Sequence, residues 1–156
     1  MTGPHRIYLT RSPEETGDLA CLVGAGLRPG DTILLDGAVG AGKTHFARCL
    51  IQSLLDVPED VPSPTYTLVQ TYQTGAGEIW HADLYRLSSA TEVVELGLEE
   101  AFETAVCLIE WPDRLGDLAP AGALCLTFEV AEDGMRRIKA EGPEAWAARL
   151  PAETDA

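Results

Sequence analysis

The chain has no asparagine and only two lysines, Lys43 and Lys139, in 156 residues. Basic residues of any kind are scarce: 11 Lys and Arg face 25 Asp and Glu, giving a formal net charge of −14. So acidic a chain repels phosphate backbones at long range, which argues against direct, specific binding of RNA or DNA. Paired cysteines are missing as well. Cys21, Cys49, Cys107 and Cys125 form no Cys-x-x-Cys motif and are well separated in sequence. That speaks against a zinc framework and predicts reduced, buried thiols in a cytosolic protein. No apolar run approaches the ~18 residues that a membrane span needs. The opening residues, Met1 to Arg6, lack the apolar core of a secretion signal. A cytoplasmic location away from membranes is the expectation.

What is present is enough for one folded domain. Hydrophobic residues make up 46% of the chain and are spread along it, so a core can form without disulfide or metal staples. The domain is expected over residues 1–142. The tail at 143–156, which contains Trp146, reads as weakly ordered.

Short strands are expected at residues 6–9, 32–36 and 106–110. Ser12, Pro13 and Glu15 open a helix through a cap, a first-turn proline and a capping box. That helix is expected to reach about residue 25 and to turn Leu19, Leu22 and Val23 inward. Phe46, Leu50 and Leu54 mark a second amphipathic helix. Residues 65–74 and 78–84 read as a hairpin, as do 124–130 and 135–140 around Asp133-Gly134. Residues 88–102 read as a helix with a break at Gly97. Strands alternating with helices predict an α/β sandwich with a largely parallel central sheet, to which the hairpins add antiparallel strands.

Between the second strand and the second helix lies Gly37-Ala38-Val39-Gly40-Ala41-Gly42-Lys43-Thr44. It matches the G-x-x-x-x-G-K-[ST] template without a gap. Glycines there allow backbone N–H groups to turn inward around phosphates, and the following helix aims its positive end at them. Lys43 can reach the β- and γ-phosphates, and the Thr44 hydroxyl can bind Mg²⁺. A lysine-poor chain places one of its two lysines where the template requires it. The missing asparagine now matters. Guanine-reading loops of this class carry an [NT]-K-x-D segment, and neither lysine here is followed by x-Asp. ATP is therefore the expected nucleotide.

Magnesium in such a site needs a carboxylate at the end of a neighbouring apolar strand. Glu110 follows Val106-Cys107-Leu108-Ile109, and Asp83 follows Ile79-Trp80-His81-Ala82. Either can serve.

These segments together resemble the TsaE (YjeE) family. The resemblance rests on Gly40-Ala41-Gly42-Lys43-Thr44, Ser63-Pro64-Thr65-Tyr66, His81-Ala82-Asp83-Leu84-Tyr85-Arg86 and Ile109-Glu110-Trp111-Pro112, in that order. It extends over about residues 12–137. It implies a P-loop ATPase fold and a factor for threonylcarbamoyladenosine modification of tRNA that acts with TsaD and TsaB. It implies ATP and Mg²⁺ as cofactors, held by Gly37, Gly40, Ala41, Gly42, Lys43, Thr44, His45 and Trp111. Thr44 and Glu110 resemble the magnesium ligands. Asp83 resembles an acidic residue beside the γ-phosphate that holds metal-bound or attacking water. The resemblance makes Lys43, Thr65, Asp83 and Glu110 the catalytic set, with Ser63-Pro64-Thr65 as a γ-phosphate-sensing switch. Ala38, His45 and Ala82 depart from the family's usual Asp, Thr or Ser, and Phe. Met135 separates Gly134 from Arg136 where the family often has Gly-Arg, so no nucleotide contact from that turn is carried over.

Two other classes fit a P-loop: a small-molecule kinase, and a nucleotide-dependent binding module without useful turnover. A kinase usually carries an arginine-rich lid. Residues 88–104 instead hold Glu92, Glu95, Glu99, Glu100 and Glu103 and no arginine.

Overall fold

A computed structural model describes residues 6–153 apart from 39, 65, 66, 76 and 132. The chain runs through β1 (Arg6–Thr10), α1 (Pro13–Ala25), β2 (Thr32–Gly37), α2 (Lys43–Leu54), β3 (Val69–Thr74) and β4 (Gly77–Asp83). It continues through α3 (Ala90–Glu95), α4 (Leu98–Thr104), β5 (Val106–Glu110) and a 3₁₀ segment at Pro112–Leu118 that kinks at Gly116. It ends with β6 (Leu124–Val130), β7 (Arg136–Glu141) and a 3₁₀ turn at Glu144–Trp146.

Among the described residues, seven strands form one sheet in the order β1-β7-β6-β2-β5-β4-β3. The centre, β6-β2-β5-β4, is parallel. Antiparallel pairing adds β3 on one flank and β7 then β1 on the other. This is the expected α/β P-loop sandwich with hairpin strands added to it. Every residue of β5 is buried. Its place between β2 and β4, with both faces covered, explains why it reads as an unbroken apolar run rather than an alternating one.

Alternate positions on each strand divide the core in two. One face carries Ile33, Leu35, Ile79, Leu108, Leu126 and Phe128 into a cluster with Leu19 and Val23 of α1 and Phe46 and Leu50 of α2. The other carries Ala82, Cys107 and Ile109 against Val93 of α3, Leu98 and Phe102 of α4, and Leu115. The break between α3 and α4 falls at Gly97, whose φ is +81°.

Three expectations are corrected. Leu22 is 59% exposed, because the inward stripe of α1 runs through Thr16, Leu19, Ala20 and Val23. Cys107 is buried, but Cys21 is exposed and Cys49 and Cys125 are only partly covered; all four are free thiols. An apolar run in sequence does not distinguish the two sides of an amphipathic helix, and Cys21 lies on the outer one. Finally, residues 143–153 are packed onto the body of the domain. Trp146 is 4% exposed and donates its indole N–H to the Gly122 carbonyl at 2.9 Å. Arg6 donates to the carbonyls of Ala147, Leu150 and Pro151 at 2.7, 2.8 and 2.9 Å. Arg149 pairs with Asp31. The anchors are one tryptophan, one ion pair and backbone carbonyls, which leave no periodic signal.

Candidate phosphate-binding site

The site lies at the carboxyl ends of the parallel strands, where open α/β sheets place their ligands. It begins with Gly37, the last residue of β2. Its φ is +139°, and a Cβ there would lie 2.5 Å from the Phe128 carbonyl oxygen of the adjacent strand. Only glycine lets β2 end this close to β6 and turn into the loop. The loop leads to Gly42, the N-cap of α2, at φ +107°. No side chain caps this helix, so its first N–H groups remain available for an anion.

Lys43 is buried and held at two points. Its ammonium donates to the Gly37 carbonyl at 2.6 Å and lies 3.5 Å from the centre of the Trp111 ring. Burial lowers the lysine pKa, and the carboxylates of Glu110, Asp36, Asp83 and Asp113 oppose that shift. Trp111 takes a left-handed conformation, φ +60°, as the chain leaves β5. Its ring packs on Tyr85 at 4.8 Å.

Thr44, one residue on, donates its hydroxyl to Glu110 Oε1 at 2.7 Å. The other oxygen of Glu110, Oε2, lies 2.7 Å from His81 Nε2. Asp83 and Glu110 are register partners on parallel strands, so their side chains share one face with His81 and α2. Asp83 Oδ1 accepts the Tyr85 N–H at 3.0 Å. Its own N–H donates to the Leu68 carbonyl. Burial is nearly complete for all three: 0% exposure for His81, 2% for Glu110 and 6% for Asp83.

Above these groups opens a cavity of ≈ 680 Å³, a volume that accommodates a nucleotide. Gly40, Gly42, Lys43, Thr44, His45 and Trp111 line it, together with Asp83 and Glu110. The structure thus brings both candidate carboxylates to the phosphate loop. His45 lines the cavity while its Nε2 lies 2.9 Å from the Pro13 carbonyl. Gly37 and Ala41 do not line it. Ala41 is 1% exposed and belongs to the core. Thr65 lies outside the described residues. Nearby, the Pro64 carbonyl accepts the Leu68 N–H at 2.8 Å, which ties that segment to the residue bonded to Asp83. Arg86 is exposed and away from the cavity lining.

Two parts of the site were not legible in the sequence. The turn between β1 and α1 supplies Arg11, Ser12 and Pro13 to the cavity wall, and the β6–β7 turn supplies Gly134 and Arg136. Arg136 donates to the Gly134 carbonyl at 2.9 Å and to the Gly40 carbonyl at 3.4 Å. Met135, which kept a contact from this turn from being carried over, does not prevent Arg136 from reaching the loop. The cavity lining gathers Lys43, Arg11 and Arg136 beside the carboxylates of Asp83 and Glu110, cations that can meet phosphate in a strongly acidic chain. The nearness of these turns follows from β1 pairing with β7 and from α1 packing on α2, which no local motif records.

A family model for threonylcarbamoyl adenosine biosynthesis protein TsaE matches residues 10–138. The tRNA threonylcarbamoyladenosine biosynthesis protein TsaE of Rickettsia felis is 40% identical over 130 residues, covering 83% of this chain and 76% of that protein. The Bacillus subtilis protein of the same name is 37% identical over 132 residues, covering 84% and 82%. The crystal structure of Bacillus subtilis YdiB superposes with a TM-score of 0.77 at 31% identity, covering 91% of this chain and 87% of that one. The four sequence segments, the sheet order and these likenesses agree: the chain belongs to the TsaE family, whose role lies in threonylcarbamoyladenosine biosynthesis on tRNA.

Proposed function

We propose that this protein binds ATP with magnesium in the cavity over the β2–α2 loop and hydrolyses it in support of TsaD and TsaB. The observation that carries this reading is the bond from Thr44 to Glu110, at 2.7 Å, beneath the uncapped start of α2. It places a hydroxyl and a carboxylate oxygen side by side next to a phosphate cradle. Two hard oxygens in that position fit magnesium, which keeps most of its own waters and takes few protein ligands. Thr44 and Glu110 would hold the ion. When bound, magnesium neutralises charge on the phosphates. Lys43 binds the phosphate tail by charge; its ammonium has three donors, so it can keep its contact with the Gly37 carbonyl while doing so. Asp83, adjacent to Glu110 but not bonded to Thr44, would orient a water.

The kinase alternative has less support. Leu98 and Phe102 of the acidic α3–α4 stretch pack on the face of the sheet opposite α2, so this stretch does not form a lid over the cavity. With 25 acidic against 11 basic side chains, the chain is also a poor ligand for tRNA by itself. Energy from ATP then goes into conformation, which a protein partner reads. TsaD and TsaB are those partners in this reading, Ser63-Pro64-Thr65 is the segment that senses the γ-phosphate, and the cytoplasm is the place.

The experiment is multiple-turnover tRNA modification with purified components. Cycling by TsaD and TsaB should depend on this protein and should fail with Lys43→Ala. A Thr65→Ala variant should keep ATP binding but lose partner-dependent turnover. Equal cycling with and without the protein would reject the coupling.

A further inference from the structure

Glu110 divides its two carboxylate oxygens between two neighbours. Oε1 accepts the Thr44 hydroxyl and Oε2 meets His81 Nε2, each at 2.7 Å. The register explains the second contact. His81 stands two residues before Asp83, the partner of Glu110 across the β4–β5 pair, so its ring reaches Glu110 along the diagonal. The ring is fully buried, and its Nδ1 has no hydrogen-bond partner among the described residues. An ionised carboxylate only accepts, so Nε2 carries the proton in this contact. His81 is therefore committed to one contact, and that contact occupies Oε2.

The consequence concerns how Glu110 can meet a cation. With Oε2 tied to His81, one oxygen faces Thr44 and the cavity. Magnesium demands compact octahedral geometry and suits single-oxygen carboxylates. Calcium takes more ligands and often binds a carboxylate through both oxygens. Asp83 also has one oxygen engaged, Oδ1 by the Tyr85 N–H, but it is Glu110 that stands bonded to Thr44. We propose that His81 is a positioning residue: it locks Glu110 into presenting a single oxygen beside Thr44, and so favours magnesium over calcium at the site. This rests on the magnesium–ATP reading above.

Three variants test it by calorimetric titration of ATP with magnesium or with calcium, each checked by thermal melting. Gln carries an amide nitrogen as many bonds from Cα as His Nε2; Asn carries one at the Nδ1 distance. His81→Gln should therefore keep the magnesium-supported affinity and the preference over calcium. His81→Asn and His81→Leu should each lose about tenfold in magnesium-supported affinity, the range seen when a ligand's hydrogen-bond partner is removed, and should narrow the gap to calcium. If His81→Leu does not fold, the contrast between Gln and Asn decides. Asn behaving like Gln, or a folded Leu variant retaining both affinity and preference, overturns the role of His81 alone. Wild-type protein that binds ATP with neither cation overturns the underlying reading, and the proposal with it.

Discussion

Asp83 and Glu110 face each other across adjacent parallel strands, yet they hold different partners. Glu110 is bonded to Thr44 and to His81, while Asp83 takes the N–H of Tyr85. Two carboxylates of nearly equal burial are thus held differently, and the proposed function gives them distinct tasks. Glu110→Gln should weaken magnesium-dependent ATP binding, since it replaces a charged ligand with an amide. Asp83→Asn should leave that binding nearly intact and lower turnover, by roughly a hundredfold if it acts on the attacking water. A magnesium titration of both variants checks the assignment. A changed magnesium requirement in Asp83→Asn alone would reverse the two roles.

Gly37 is required by the sheet as much as by the loop. Its φ of +139° and the Phe128 carbonyl 2.5 Å from a would-be Cβ leave no room for a side chain. Gly37→Ala should destabilise the fold by about 3 kcal/mol, combining backbone strain with a clash against a strand that cannot easily move. Urea denaturation measures this. A change below about 0.5 kcal/mol, the size of an ordinary surface substitution, would mean that β2 and β6 separate more readily than their pairing suggests.

The C-terminal segment should behave as part of the core. Trp146 is almost fully buried and Arg6 is bonded to three carbonyls beyond it. Trp146→Ala should cost about 3–5 kcal/mol, as for other buried aromatics, and truncation after Gly142 should cost at least as much. Denaturant midpoints of the two variants test the point.

The four thiols should separate by exposure. Cys21 is exposed, whereas Cys107 is buried and its pKa is pushed up to about 12 by desolvation. The thiolate is the reactive form. A maleimide reagent at neutral pH should therefore modify Cys21 first and Cys107 only after unfolding. Peptide mapping over a time course reads the order directly.

Much of this protein could be read from its sequence because local chemistry wrote it there. The phosphate loop, the capped start of α1, the Asp133-Gly134 turn and the glycine break between α3 and α4 each carry their own signal. The approach of Asp83 and Glu110 to the loop followed from apolar strands that end in carboxylates. Arg136 and Arg11 were hidden, because only the pairing of β1 with β7 and of β7 with β6 brings their turns to the cavity. The tail was hidden for a related reason. Its hold on the domain is made by Trp146, the Arg149–Asp31 pair and backbone carbonyls, which have no sequence pattern. Leu22 shows the limit of periodicity: Leu19, Leu22 and Val23 have the spacing of one helix face, but the buried stripe follows Thr16, Leu19, Ala20 and Val23 and leaves Leu22 outside it.

Phosphate release from ATP, measured for the protein alone and then with TsaD and TsaB, tests the central claim most directly. Wild-type protein should release phosphate slowly alone and faster with both partners. Lys43→Ala should remove the release under both conditions, with ATP affinity reduced about a hundredfold through loss of a charge-assisted contact of roughly 3 kcal/mol. Release that ignores the partners, or a Lys43→Ala variant that binds and hydrolyses ATP as well as wild type, would contradict it.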